Sequence, residues 1–367
     1  MLLSIPTAHT EVITSLQFSP HHPTVFCSTS GDDTTALWDL RQSSDGHAVA
    51  RLTHHQGPVN HALFLHDDDR LLLTASDDRT VACWDVRALG TPVDGIQGFG
   101  DGINKMLRIP APVGSENSNR NSCLLASACD DGMVYIHSLI PDNNGVSATM
   151  VDRFWAATST VNDILLSPNP RMLITASEDC AVRVWNIIGD PMATTEDRLV
   201  TSFEEFDNPV NHIAVMCYAD TEGQEKHQEQ QSENRLTSIT TTSSFSSCWL
   251  YAACSEFIFA VDMDATTGNF GDGARTFTGH QDYVRGLEFL NRNTLLTVSD
   301  DATGVEWSLT TAEPIRQVKL HEGLVMASAT SAAKDVLLTG TDGGELRAWH
   351  LPFNTETCCG GGVNGCC

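Results

Sequence analysis

The stretch TASDDRTVACWDVR, Thr74 to Arg87, holds two acids and a turn, followed by an alternating run that ends on Trp-Asp. By itself it fits a local hairpin, an active-site elbow or one unit of an array. Its recurrence decides. STSGDDTTALWDLR carries Trp38, ITASEDCAVRVWN carries Trp185, TVSDDATGVEWS carries Trp307 and TGTDGGELRAWH carries Trp349. Two weaker copies, LASACDDGMVYIHS and LYAACSEFIFAVDM, put His137 and Val261 in the Trp position.

These units recur about every 40 to 50 residues, the period of a four-stranded repeat. One longer interval contains the polar run ADTEGQEKHQEQQSENRLTSITTTSS from Ala219, a loop insertion over about 219–247 that is too hydrophilic to pack. Upstream of the Trp segments lies a second signature, clearest in GHQDYVRGLEF from Gly279 and echoed in AHTEVITSLQF, HHQGPVNHALF and LHEGLVMASA. In each, a His precedes a strand of period two. Such strands, separated by Gly, Asp and Asn turns and without helical stripes, define an all-β chain built of propeller blades.

Composition narrows the function classes. The 367 residues carry 21 Lys and Arg against 47 Asp and Glu, a formal charge of -26, which repels phosphate backbones and anionic lipid surfaces. Direct nucleic-acid binding is not expected. The N-terminus MLLSIPTAHT has no basic leader, and no apolar run is long enough to span a bilayer. Eight cysteines, Cys27, Cys83, Cys123, Cys129, Cys180, Cys217, Cys248 and Cys254, stand singly in apolar runs, as reduced core thiols do. Location inside the cell, in cytoplasm or nucleus, is the expectation.

The repeated signatures resemble the WD-repeat β-propeller family over residues 1 to about 353. The resemblance implies seven blades, closed by pairing of the N-terminal strand Leu2–Ile5 with the last blade. It also implies a structural tetrad in each complete blade: His before the first strand, Ser or Thr in the second, Asp in the following turn and Trp in the third. Complete sets stand in blades 1 (His9, Ser28, Asp32, Trp38), 2 (His55, Thr74, Asp78, Trp84) and 6 (His280, Thr297, Asp301, Trp307). Blade 7 has His321, Thr339 and Trp349, but Gly343 takes the Asp place and Asp342 sits one residue early, so a bulged turn is expected. Blades 3, 4 and 5 lack the His; Ala157 and Phe206 occupy its place in blades 4 and 5, which are expected to be less rigid.

His, Ser and Asp in one set could imitate a hydrolase triad. A nucleophilic Ser needs exposure and an oxyanion hole, whereas here the trio repeats and ends on an indole, so no enzyme is expected. The loop GFGDG at Gly98–Gly102 lacks a βαβ setting, and HDDDR at His66–Arg70 lacks the ligand spacing of a calcium loop. No cofactor and no metal are expected.

Function is then expected on the faces. The position seven before the Trp, on the top face according to the resemblance, is Gly31, Asp77, Asp130, Glu178, Asp300 and Asp342. Acids also suit this turn by bonding to their own backbone; as a ring they would receive a basic peptide. On the opposite face, WDLR and WDVR place Arg41 and Arg87 two residues after Trp-Asp. Paired boxes of this kind resemble those of cullin-RING ubiquitin-ligase substrate receptors, where the Arg contacts a ligase adaptor. In other WD-repeat proteins the same Arg caps its turn or pairs with the neighbouring acid. The alternative is a structural subunit of a larger assembly, of the ribonucleoprotein-biogenesis or trafficking kind.

The tail, residues 354–367, ends in CCGGGVNGCC, too glycine-rich to extend the last blade. Its terminal Cys366 and Cys367 resemble the doubly prenylated ends of some small GTPases, and lipidation there is the one expected route to a membrane.

Overall fold

The computed structural model describes all residues except 43–45, 66–69, 89, 111–121, 142–144, 188–193, 220–244 and 354–367. Cys366, Cys367, nearly all of the polar insertion and the HDDDR tip lie outside the described residues.

Twenty-eight strands form seven four-stranded antiparallel sheets. From the innermost strand, a, to the outermost, d, blade 1 is Ile13–Phe18, Val25–Ser30, Thr34–Asp39 and Ala50–Thr53. Blade 2 is Val59–Phe64, Leu71–Ser76, Val81–Asp85 and Asp94–Ile96, and blade 3 is Ile103–Pro110, Cys123–Cys129, Met133–Pro141 and Val146–Trp155. Blade 4 is Val161–Leu166, Met172–Ser177, Val182–Asn186 and Leu199–Phe203, the last preceded by one helical turn, Thr195–Arg198. Blade 5 is Val210–Ala219, Phe245–Cys254, Phe257–Met263 and Phe270–Thr278; blade 6 is Val284–Asn291, Thr294–Ser299, Thr303–Ser308 and Pro314–Lys319. In blade 7, Val325–Thr330, Val336–Thr341 and Leu346–His350 are joined by Leu3–Ile5, with Leu3 opposite Ala348 and Ile5 opposite Leu346.

The a strands stand side by side in a closed ring, that of blade 7 beside that of blade 1. Strand b of blade 2, Leu71–Ser76, is buried at every position, which is why it reads LLLTAS with no polar alternation. Its outer neighbour Asp94–Ile96 buries only Ile96. Burial therefore falls from the inner sheet outward, and aliphatic and aromatic residues together fill the layers between adjacent sheets.

Every a strand carries a register shift next to its first residue, between Ile13 and Ser15, Val59 and His61, Ile103 and Lys105, and at the same place in the other four blades. A bulge leaves one residue unpaired and re-aims it. The bulged residues are Thr14, Asn60, Asn104, Asn162, Asn211, Arg285 and Met326. Four of them latch neighbouring blades: Thr14, Asn60, Asn104 and Asn162 donate to the carbonyls of Val59, Ile103, Val161 and Val210.

Among the described residues no helix is long and apolar enough to cross a membrane. Cys217 and Cys248 lie directly opposite each other in blade 5 and are joined in a disulfide, which corrects the reading of all eight cysteines as free thiols. The strand pairing, invisible in the sequence, puts two distant cysteines side by side. Burial raises the Cys27 and Cys83 thiols to about 12, far from a reactive thiolate.

Candidate interaction faces

The b–c turn of blade 2 shows how the repeat builds itself. Ser76 N–H donates to the Thr80 carbonyl, Arg79 adopts a φ of 68°, and the Asp78 carboxylate accepts from the Thr80 amide and hydroxyl. The other Asp78 oxygen meets His55 Nδ1 at 2.8 Å; His55 Nε2 lies 2.8 Å from Thr74 Oγ1, which accepts from the Trp84 indole at 2.9 Å. Blades 1 and 6 repeat the wiring through His9, Ser28, Asp32 and Trp38, and through His280, Thr297, Asp301 and Trp307.

One consistent proton order satisfies the chain: indole N–H to hydroxyl oxygen, hydroxyl to Nε2, Nδ1–H to carboxylate. The hydroxyl has its single proton committed, and Ser28, Thr74 and Thr297 are fully buried. None is placed as a nucleophile. Burial opposes ionisation of Asp32, but hydrogen bonds from Thr34, the Thr10 amide and His9 outweigh it and hold the carboxyl at about 2. Burial lowers the His9 pKa despite Asp32, in keeping with a neutral ring.

The incomplete blades improvise. In blade 7 the turn is not bulged. Thr341 N–H donates to the Glu345 carbonyl and Gly344, at φ 77°, takes the place of Arg79. Glu345, in the column of Thr80, supplies the carboxylate that Gly343 lacks and meets His321 Nδ1 at 3.0 Å, while Thr339 joins His321 to Trp349.

In blade 4, Arg183 replaces the missing imidazole and reaches Asp179 at 2.8 and 3.0 Å, so the absence of His does not leave that turn unbraced. In blade 3, Phe99 fills the His seat, and the Tyr135 hydroxyl donates to Asp131 and accepts from the Gly100 amide. In blade 5 the tetrad places are apolar: its b–c turn is one residue shorter, which brings Ala252 into the hydroxyl column, with Phe206 in the His place and Val261 in the Trp place. Arg183 and Tyr135 reach the turn from strand c and Glu345 from the turn residue just before it, so all three escaped the sequence reading.

The end carrying the b–c turns presents the acidic column unevenly. Asp77 and Asp130 accept from the bulged Asn60 and Asn104 of their own blades. They also approach each other: a Cβ built on Gly102 would lie 2.8 Å from an oxygen of each. Burial raises the Asp77 pKa, and Asp130, Asp101 and Asp78 raise it further against the Asn60 hydrogen bond. Glu178 and Asp342 are exposed, and Glu178 accepts from Ser159.

Asp300 differs. It is only 7% exposed and clamped by Arg285 through contacts of 2.7 to 3.0 Å, so it is neutralised rather than offered. Blades 6 and 7 instead expose Tyr283 and Leu324 in the loops before their a strands. The ring is thus acidic over blades 2 to 4, whereas blades 6 and 7 set Tyr283 and Leu324 beside the exposed Asp342.

At the other end Arg41 and Arg87 pair with the carboxylates of their own Trp-Asp boxes. Arg41 chelates Asp39 with contacts of 3.0 and 2.7 Å and pulls its carboxyl down to about 2, and Arg87 holds Asp85 in the same way. Both guanidiniums stay open to solvent, with 68% and 67% of their side chains exposed.

Along the channel wall, Asp163 is fully buried and meets His212 at 2.5 Å and Lys105 at 3.6 Å. These partners hold its carboxyl well down against burial. Among the described residues no group of His, Cys, Asp and Glu could hold a metal ion.

The family model described as WD40, "WD domain, G-beta repeat", matches residues 2–39, 46–85, 149–186 and 271–308. Over 379 aligned residues, covering 96% of this chain and 26% of that protein, the chain is 24% identical to apoptotic protease-activating factor 1 of Rattus norvegicus. Over 202 residues, covering 46% of this chain and 66% of that protein, it is 26% identical to the target of rapamycin complex subunit LST8 of Saccharomyces cerevisiae. The chain spans less than two thirds of the length of either curated relative. The crystal structure of the WD40 β-propeller domain of Doa1 superposes with a TM-score of 0.66 over 95% of both chains at 15% identity, a likeness of fold.

Proposed function

Because the chain carries WD40 repeats on a closed seven-bladed propeller, we propose that it is a non-enzymatic scaffold whose b–c-turn end receives a Lys- or Arg-bearing segment of a protein partner. The observation that carries this reading is the convergence of Asp77 and Asp130 over Gly102, beside Asp101. Asp77, whose proton affinity is raised by burial and by the neighbouring Asp130, is relieved by a cation placed between the two carboxylates. Glu178 and Asp342 extend the acidic arc, and Tyr283 and Leu324 offer apolar contact across the channel mouth. Asp300 keeps its own arginine and contributes shape.

Calorimetric titration with a Lys/Arg-rich peptide tests this. Asp77→Asn/Asp130→Asn is expected to weaken binding and Asp300→Asn to leave it nearly unchanged. Equal affinities for all three proteins would overturn the reading.

The exposure of Arg41 and Arg87 favours a second contact at the opposite end. There the two guanidiniums would meet a ligase adaptor, making the chain a substrate receptor of a cullin-RING ubiquitin ligase. A fixed guanidinium fork on a strand end suits such a contact. Arg41→Ala/Arg87→Ala is expected to abolish co-purification of that adaptor. Retention of every partner by the double variant would favour instead a structural subunit of a larger assembly, of the ribonucleoprotein-biogenesis or trafficking kind; LST8 is by name a subunit of a complex. The charge of -26 argues against direct nucleic-acid contact, and membrane attachment would need lipidation at Cys366 and Cys367. A place in cytoplasm or nucleus accords with this reading.

A further inference from the structure

In each blade that has it, the Trp fills the seam with the preceding blade. Trp84 packs on Cys27, Leu37 and Leu52 of blade 1, and Trp185 on Val134, Ile136 and Phe154 of blade 3. The seam between blades 2 and 3 has His137 in that seat, and a groove of about 330 Å³ opens there. Asp94 and Gln97 line one side, Ser147 and Met150 the other, with His137 at the base.

Three further features mark this seam. His137 is 3% exposed and among the described residues its Nδ1 has no hydrogen-bond partner; the Ser127 hydroxyl, which would accept from an indole in this seat, has none there either. Met150, 48% exposed, is the large apolar side chain of the groove lining. Strand d of blade 3 runs ten residues, pairs only with strand c, and bulges beside His137, where Met150 pairs with it and Val151 stands out of register. A long outer strand with a free edge is a template for an added strand.

We propose that this seam is a second docking groove, taking an extended segment of a protein partner that inserts an aromatic side chain with a polar tip, Trp or Tyr, beside a Lys or Arg. The ring lies against Met150 and Ala148, and its N–H or O–H meets the His137 imidazole, which burial keeps neutral and able to accept. The basic residue faces the exposed Asp94, in keeping with the overall negative charge. The segment's backbone runs along the free edge of Val146–Trp155. The volume is at the small end of ligand pockets, roughly 300 Å³ and above, and suits one inserted side chain.

The test is selection from a displayed peptide library with a fixed Trp or Tyr next to Lys or Arg, against the full chain. Affinities of the selected peptides are then measured for three proteins. His137→Trp fills the seat with the indole of the other blades, gives Ser127 a partner, and is expected to melt no lower than the parent while binding at least about tenfold more weakly. Met150→Asp, on the exposed rim, is expected to weaken binding similarly without loss of fold. Asp77→Asn/Asp130→Asn, at the other site, is expected to leave it unchanged. Selection of no binder, binders indifferent to His137→Trp and Met150→Asp, or binders lost only with the Asp77 and Asp130 changes would each overturn the groove. The last outcome would leave the b–c-turn site standing.

Discussion

Arg183→Ala removes the cation from Asp179, whose side chain is 8% exposed, in a blade that has Ala157 where His55 stands in blade 2. Breaking a buried pair from one side costs about 3 to 5 kcal/mol. Asp179 keeps hydrogen bonds from the Thr158 amide and hydroxyl at 2.9 and 3.2 Å, which brings the expected loss to about 2 to 3 kcal/mol. With an unfolding entropy of about 2.1 cal/mol/K per residue, a chain of 367 residues loses roughly 3 to 4 °C in Tm. Adding Ala157→His restores the partner that blade 2 uses, an imidazole 2.8 Å from both the carboxylate and the hydroxyl, and is expected to recover at least about half of that loss. Thermal melts followed by circular dichroism measure both steps. An Arg183→Ala protein melting within about 0.5 °C of the parent, or a double variant less stable than the single one, would refute substitution of Arg for His in this turn.

Stability is expected to fall in two stages on acidification. His9, His61, His137 and His321 all have pKa values lowered by burial from 6.5, so the unfolded chain binds more protons below that pH and stability declines from about pH 6.5 downward. Asp32, Asp39, Asp78 and Glu345 are held below their ordinary values, so a second loss begins under about pH 4; urea midpoints equal at pH 7 and pH 5 would contradict the first stage. Gly344→Ala is expected to destabilise by more than the usual 1 kcal/mol or so, because at φ 77° its Cβ would fall 2.2 Å from the His9 carbonyl at the seam between blades 7 and 1. A melt unchanged by that substitution would place no strain there. Arg285→Ala leaves Asp300 buried without its clamp and is expected to cost about 1 to 3 kcal/mol by denaturant titration, whereas a loss under about 0.5 kcal/mol would mean that Asp300 is solvated.

The legible part of this protein is whatever repeats. Thr74, Asp78 and Trp84 recur at fixed offsets because one local geometry, a strand, a three-residue turn and a second strand, is reused; a periodic code can be read without knowing what lies beside it. The acidic column was equally plain, yet the state of its members was not. Asp77 and Asp300 look alike in sequence, and one faces Asp130 across Gly102 while the other is clamped by Arg285. The difference comes from the residue that occupies the bulge at the start of the a strand, Asn60 beside Asp77 and Arg285 beside Asp300, and the register shift that aims it at the turn leaves no composition signal.

Substitutions inside the tetrads were hidden for a related reason. Arg183 and Tyr135 from strand c, and Glu345 from the turn residue before it, reach the His or Asp seat, so the polar group is present in space and missing from its column. The pairing of Cys217 with Cys248 likewise depends on a strand register across the insertion. The sequence by itself determined the repeat, the strand count and the internal scaffold of the complete blades, since these rest on contacts a few residues apart within one unit. Only the tertiary structure decided which acids are already satisfied, which blade seam is left open at His137 and how the incomplete blades are braced. Those are contacts between chain segments brought together by ring closure and sheet packing, where separation in space bears no relation to separation along the chain.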